Sequence, residues 1–405
     1  MRELILYLFL GITIVFGKEI YAFDVLGIAG LKFNHFLIAG VLIAFWTKFI
    51  IKKTPGSFYV WGIIALSLIS SYLGYKEGNQ GVFFNFNYLL GLLFLVVGYH
   101  SINSERDYYR LLKYFSFLFF VTYIYKEIQF TSGGTPLLFS LDEIRTTRNL
   151  SGVHLIKGSS DSISTIGCVV LLFYLTNKLN YKYLLIPLMI WILIRYGVRT
   201  PMFASIIALL VWNYGKILVS RKSILFLSLS LIISLNFINI EYYFIEFVDF
   251  FRANNIDSRE TFIWRVAMWI DSIQTVINQG FYLIGTSGKA IDFNVLNILN
   301  FREYINPHNS YIYILLNFGI LNIVLMFILI FGTMRLNRGD RYNNLFKASF
   351  CSIVMYTIYA IGSPVHELIY QAPLFWFLCG AHRKLIFFHN QNKIQVSTEA
   401  NTVPI

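Results

Sequence analysis

Charge is the scarcest commodity in this chain. Only 13% of its 405 residues are Asp, Glu, Lys or Arg, against about a quarter in ordinary soluble domains, and that excludes a conventional soluble enzyme. Cysteine is nearly missing too. Cys168, Cys351 and Cys379 are odd in number, lie in or beside apolar runs and show no metal-ligand spacing. Neither a disulfide framework nor a zinc site is therefore indicated, and the three read as small apolar packing residues. Proline is sparse, with eight in all. No Pro- or Ser-rich linker and no internal repeat divides the sequence, which reads as one domain over residues 1–405.

Apolar side chains fill the space that charge leaves. The chain is 57% hydrophobic and 18% aromatic, and apolar runs of roughly 16 to 22 residues recur from end to end, each able to cross or nearly cross a bilayer as a helix. Backbone groups cannot stay unpaired in lipid, and the strict alternation of a barrel is absent, so the expected fold class is all-α: a polytopic membrane protein. The reading gives about twelve transmembrane helices, centred near residues 12, 42, 65, 91, 117, 171, 190, 209, 231, 321, 355 and 375. The first run has the charge of a signal peptide but no convincing small-residue cleavage site, so it is kept as a membrane helix. Every second connection is basic: Lys48, Lys52 and Lys53; Arg106, Arg110 and Lys113; Lys178 and Lys182; Lys216, Arg221 and Lys222; Arg335, Arg338, Arg341 and Lys347; Arg383 and Lys384. The positive-inside rule puts these, and with them both termini, in the cytoplasm. The net charge of +12 is thus a topology signal, and no basic module suggests nucleic-acid binding.

Two of the opposite connections are long, residues 126–162 and 240–307. Loops of this length bind something, act as lids or are disordered. The second contains SRETFIWRVAMWIDSIQTVINQG, whose apolar residues follow a helical period from Ser258 as N-cap to Gly280 as stop. With Arg259, Glu260, Arg265 and Asp271 in the same stretch, it is expected to lie in the interface as an amphipathic helix and not to span.

Four pieces then fall in order on the outer side. They are YGVRTPMFASIIALL with Arg199, SRETFIW with Arg259 and Trp264, LIGTSGKA with Gly285 and Gly288, and PHNSYIYILLNFG with His308, Asn309 and Gly319. In this order and spacing the chain resembles the O-antigen ligase and polymerase superfamily of bacterial surface-glycan assembly, most strongly over residues 195–335. The first 140 residues match only in topology, and Thr-Pro follows Arg199 where many relatives have small residues.

The resemblance implies an integral glycosyltransferase of the bacterial inner membrane. It moves a glycan from undecaprenyl diphosphate to an acceptor hydroxyl at the periplasmic face, with inversion and with no cofactor or metal. It also implies, as partners, the lipid-linked oligosaccharide, membrane lipids and a polysaccharide chain-length regulator. The residue types suit this chemistry. Diphosphate is a good leaving group, so the protein must hold it, neutralise its growing charge and align the acceptor, and the planar fork of arginine does this at any relevant pH. The outer side shows no Asp/Asp or Asp/Glu constellation of the kind a magnesium-dependent transferase needs. Arg199 and Arg259 are the expected diphosphate clamp, with Arg265, Asn309, Trp264, Gly285, Gly288, Arg145 and Arg148 as further substrate-binding candidates.

His308 completes the set. If Asn306 caps the tenth span and Pro307 opens it, His308 lies in the first turn, where the helix dipole disfavours imidazolium. A neutral His308 then takes the proton of the acceptor hydroxyl. Blander readings stand beside these. His308 also fits a helix-end or headgroup-level residue, the arginines fit solvated or snorkelling charges, the glycines fit a turn, and DEIRTTRNLSGVH around Arg145 and Arg148 fits a solvated hairpin or lid. Abundant Asn, Ile, Lys, Phe and Tyr favour a glycan-cluster polymerase over a ligase acting on lipid A core, and the absence of an inverted repeat weighs against a lipid-linked glycan flippase.

Overall fold

The computed structural model describes residues 2–16, 33–51, 54–76, 86–131, 148–150, 153–155, 160–177, 182–195, 200–214, 245, 248–249, 260–278, 280, 283–285, 291–300, 307–334, 343–363, 365–366 and 371–401. In the first half lie α1 (Arg2–Phe16), α2 (Phe33–Ala44), α3 (Trp46–Ile51), α4 (Ser57–Lys76), α5 (Phe86–Ser101), α6 (Glu105–Thr131), α7 (Ser160–Thr176), α8 (Lys182–Arg195) and α9 (Thr200–Tyr214). In the second lie α10 (Glu260–Asn278), α11 (Val295–Ile298), α12 (Ser310–Thr333), α13 (Asn344–Tyr359) and α14 (Ala372–Asn401). Among the described residues the protein is all-α apart from one antiparallel hairpin, β1 (Arg148–Leu150) with β2 (Val153–Leu155), which falls in the first long connection.

Among the described residues the helices reach part of the expected count of about twelve spans. By length and composition, α4 and α12 are the two described helices long and apolar enough to cross a membrane, and five shorter apolar helices accompany them. The second apolar run breaks at Phe45 into α2 and α3, and the runs near 190 and 209 yield helices of 14 and 15 residues, below the ~20 that a full crossing takes. The run near 231 lies outside the described residues. Large apolar side chains face outward as well as inward: Ile43, Phe58, Tyr183 and Leu184 are all more than 70% exposed, while Phe94, Phe115, Phe346 and Trp376 are wholly buried.

Packing fixes how the helices run. Ser67 meets Asn322 and Ser70 meets the Asn317 carbonyl, so α4 and α12 are antiparallel. Helices α5 and α14 run parallel in backbone contact. A Cβ on Gly91 would lie 2.7 Å from that of Ala372, and one on Gly98 or Gly380 would overlap the Phe377 or Leu95 carbonyl. These close approaches are what a small residue at a helix crossing permits. One end of the bundle therefore gathers Thr54, Thr333 and Arg383, whose guanidinium donates to Thr333 Oγ1 (2.6 Å), Leu329 O (2.8 Å) and Pro55 O. The opposite end carries the start of α12 and the turn between α13 and α14. Against that second end packs α10, which buries Ile263, Ala267, Met268 and Ile270 with Val295, Leu296 and Leu299. The buried Asp271 carboxylate fastens this layer, accepting the backbone N–H groups of Asn294, Val295 and Leu296 at 2.8–3.2 Å.

Candidate functional site

The start of α12 is the point where the outer elements converge. Asn309 has extended backbone (φ −143°, ψ 113°), and its side-chain oxygen accepts the N–H groups of Tyr311 and Ile312 at 3.0 and 3.2 Å. That makes Asn309 the N-cap and corrects the expected capping by Asn306. His308 consequently stands outside the helix, in a left-handed conformation at φ 50°. Side chains other than glycine rarely adopt that region, and such outliers cluster at functional positions. The turn is held from α10: Trp269 Nε1 donates to the Pro307 carbonyl at 2.7 Å, and the Trp264 ring meets the half-buried His308 ring edge-on at 5.6 Å between centroids.

A third contribution comes from the turn after α13. Ser310 N–H donates to the Ala360 carbonyl at 3.0 Å, Ser310 Oγ donates to the Ser363 carbonyl at 3.0 Å, and Ser310 Oγ accepts the His366 N–H at 3.1 Å. Arg265 reaches the same turn through a long contact from Nη1 to the Gly362 carbonyl at 3.4 Å, and its buried Nε has no partner. His366 is wholly buried among the rings of Tyr311, Phe375 and Trp376, and burial pushes its imidazole down to about 3.

The glycines serve a different purpose. Gly319 interrupts α12 at φ 77°, ψ 177°, and Gly285 is at φ 77°. A Cβ on Gly285 would sit 2.6 Å from Gly319 N, and one on Gly319 would sit 2.5 Å from the Leu283 carbonyl. The close backbone approach is thus between two parts of the chain itself. Segment 283–285 enters the break, where Leu283 O accepts the Leu321 N–H at 3.2 Å. The groups freed by the interruption are satisfied locally: Ser70 donates to Asn317 O and Asn322 Nδ2 donates to Phe318 O at 3.1 Å.

Among the sequence candidates, the structure brings together His308, Asn309, Trp264 and Arg265 at the start of α12, while Gly285 lies apart from them, against the break at Gly319. Arg199, Arg259, Arg145 and Gly288 lie outside the described residues, and Arg148 is described only as backbone in β1, paired with Leu155. Ser310 and the 360–366 turn are not among the sequence candidates. The signal available is the run of polar residues in SPVHELIYQ directly after an apolar segment. In comparisons with known proteins, no family model matches the chain and no curated protein is significantly similar to it.

Proposed function

We propose that the chain is a polytopic glycosyltransferase of the bacterial inner membrane, acting as a polymerase of a surface polysaccharide on undecaprenyl-diphosphate-linked repeat units. Embedding is supported by the large apolar side chains on the outward faces of the helices and by the basic residues near the Arg383 end of the bundle. The observation that carries the reaction is the convergence on His308: a histidine in a strained turn, gripped by two tryptophans, with a partly unpaired arginine close by.

The acceptor hydroxyl oxygen attacks the anomeric carbon while the bond from that carbon to the diphosphate oxygen breaks. The leaving diphosphate keeps the bonding electrons, Arg199 and Arg259 neutralise it, and His308 takes the hydroxyl proton, a role worth about 10² to 10⁴ in rate. The break in α12 raises a transporter as a second reading, because discontinuous helices form substrate sites in transporters. Here the break is occupied by segment 283–285 and by Ser and Asn side chains, which favours the enzyme. The test is glycan ladder formation by purified protein on lipid-linked repeat units, with donor affinity measured separately. His308→Ala and His308→Gln should both lose chain growth and keep donor binding. Growth near the wild-type rate in His308→Gln would remove the general-base role.

A further inference from the structure

The turn between α13 and α14 holds polar groups for which the transfer step has no use. His366 is wholly buried, and neither ring nitrogen has a hydrogen-bond partner. Gln371 is 1% exposed, and both ends of its amide are equally unpartnered. The indole N–H of the buried Trp376 is in the same position. Buried polar atoms are nearly always paired, because one left without water or partner forfeits its whole solvation. The cluster adjoins the His308 turn, because the His366 N–H is bonded to Ser310 Oγ.

His366 and Trp376 share one aromatic wall, and Gln371 immediately precedes the helix that carries it. The His366 ring lies 4.9 Å from the Phe375 ring, 5.6 Å from the Trp376 ring and 6.1 Å from the Tyr311 ring. Gln371 stands one helical turn before Phe375, whose N–H donates to its carbonyl at 2.9 Å, so it leads the same face of α14. The chemistry of the set is neutral. Imidazole, carboxamide and indole between them offer donors and acceptors but no charge, and the burial that depresses His366 keeps it uncharged at any working pH. An anion would find no counter-charge in these three groups. A hydroxyl both donates and accepts, and a pyranose adds an apolar C–H face that suits aromatic walls.

We propose that His366, Gln371 and Trp376 form a receptor for an uncharged sugar ring, walled by Phe375 and Tyr311. Its assignment to the acceptor unit rests on the glycan-transfer reading above. The His366 backbone is tied to Ser310, two residues from His308, so a sugar seated there lies behind the turn that carries the proposed base. Because His366 is wholly buried, entry of the ring requires its bond to Ser310 to open.

The test uses the full chain in detergent micelles, titrated with methyl glycosides of neutral hexoses and N-acetylhexosamines, with inorganic diphosphate as counter-probe and tryptophan fluorescence as readout. A saturable change is expected with at least one glycoside and none with diphosphate, and Trp376→Phe should remove it. His366→Phe or Gln371→Leu should weaken the response about tenfold, as loss of a neutral hydrogen bond does, and the double variant should lose it. That double variant should melt at or above the wild-type temperature, because apolar replacements relieve unpaired buried atoms. Silence of the wild type to every glycoside would overturn the receptor. So would a response that survives in the double variant, or a double variant that melts well below wild type, which would mark these groups as structural. Transfer is scored alongside. A wild type that binds glycoside and transfers nothing loses the enzyme reading and keeps the receptor, while full transfer by the double variant does the reverse.

Discussion

Gly319→Ala tests whether segment 283–285 is built into α12. At φ 77°, ψ 177° the backbone lies in a region that is essentially glycine-only, and holding alanine there costs about 1–3 kcal/mol. The new Cβ would meet Leu283 C and O at 2.5 Å and Ile284 C at 2.6 Å, where ordinary contact begins at 3.4 Å. These are backbone atoms, so no side chain can swing aside. The segment must retreat by nearly an ångström, which breaks the Leu321–Leu283 hydrogen bond and adds about 0.5–1.5 kcal/mol. The total is about 1.5–4.5 kcal/mol. Gly280 is the internal control: it has φ 72° but open space around its missing Cβ, so Gly280→Ala should show the conformational cost of about 1–2 kcal/mol alone. Gly285→Ala attacks the same contact from the other side, so the Gly285→Ala/Gly319→Ala pair should cost less than the sum of the singles. Thermal unfolding of the detergent-solubilised chain gives the ranking, and trypsin cleavage at Lys289 reports release of the segment. If Gly319→Ala is no worse than Gly280→Ala, or if the double variant is strictly additive, the two backbones are not in contact.

Three further outcomes are expected. In a background without the three buried native cysteines, single cysteines at Asn254 and at Asn337 should react with an impermeant maleimide from opposite sides of the membrane. Reaction from one side would end the proposed topology; Asn337 is chosen because Asn343 caps α13. Arg199→Lys and Arg259→Lys keep the charge but lose the planar fork, so glycan transfer should fall at least tenfold at normal protein levels, and full activity in both would exclude a bidentate diphosphate clamp. His366 stays neutral in the fold down to about pH 3, while the unfolded chain takes up its proton near 6.5. Its contribution is therefore intact above pH 6.5 and is lost as pH falls, at about 1.4 kcal/mol per pH unit. The melting temperature should drop less between pH 7 and pH 5 in His366→Phe than in wild type, and equal drops would contradict the burial.

Period and capping rules read the secondary structure well wherever the cause is local. The stretch from Ser258 to Gly280 has the pattern of an amphipathic helix, and α10 runs from Glu260 to Asn278 with Gly280 at positive φ beyond it. The apolar run around residue 321 forms α12. Rules of this kind fail where the deciding partner is distant in sequence. Gly319 is picked out by its motif, but its place in an apolar run gives no sign that it breaks the helix until Leu283 and Gly285 come up against it. The cap of α12 goes to Asn309 because Trp269 holds the carbonyl of Pro307 and turns His308 out of the helix, a contact across 38 residues. His308, Asn309, Trp264 and Arg265 are legible as candidates through their motif, whereas Ser310 and His366 need the fold, since serine and histidine after an apolar segment say nothing of which helix start they meet.

The partnership of α4 with α12 also dictates an order of assembly. Ser67 and Asn322 are 255 residues apart, which at the usual 5–20 residues per second of synthesis is a wait of about 13 to 50 s. During that time α4 has been delivered without the helix that will take its hydroxyls, and the Gly91 and Gly98 faces of α5 wait longer still for α14. In the membrane reading, the early helices must therefore be sheltered or paired provisionally until the C-terminal third arrives. Truncation just before α12 would leave an N-terminal fragment, in the membrane reading, with a polar seam open to lipid, a natural substrate for membrane quality control.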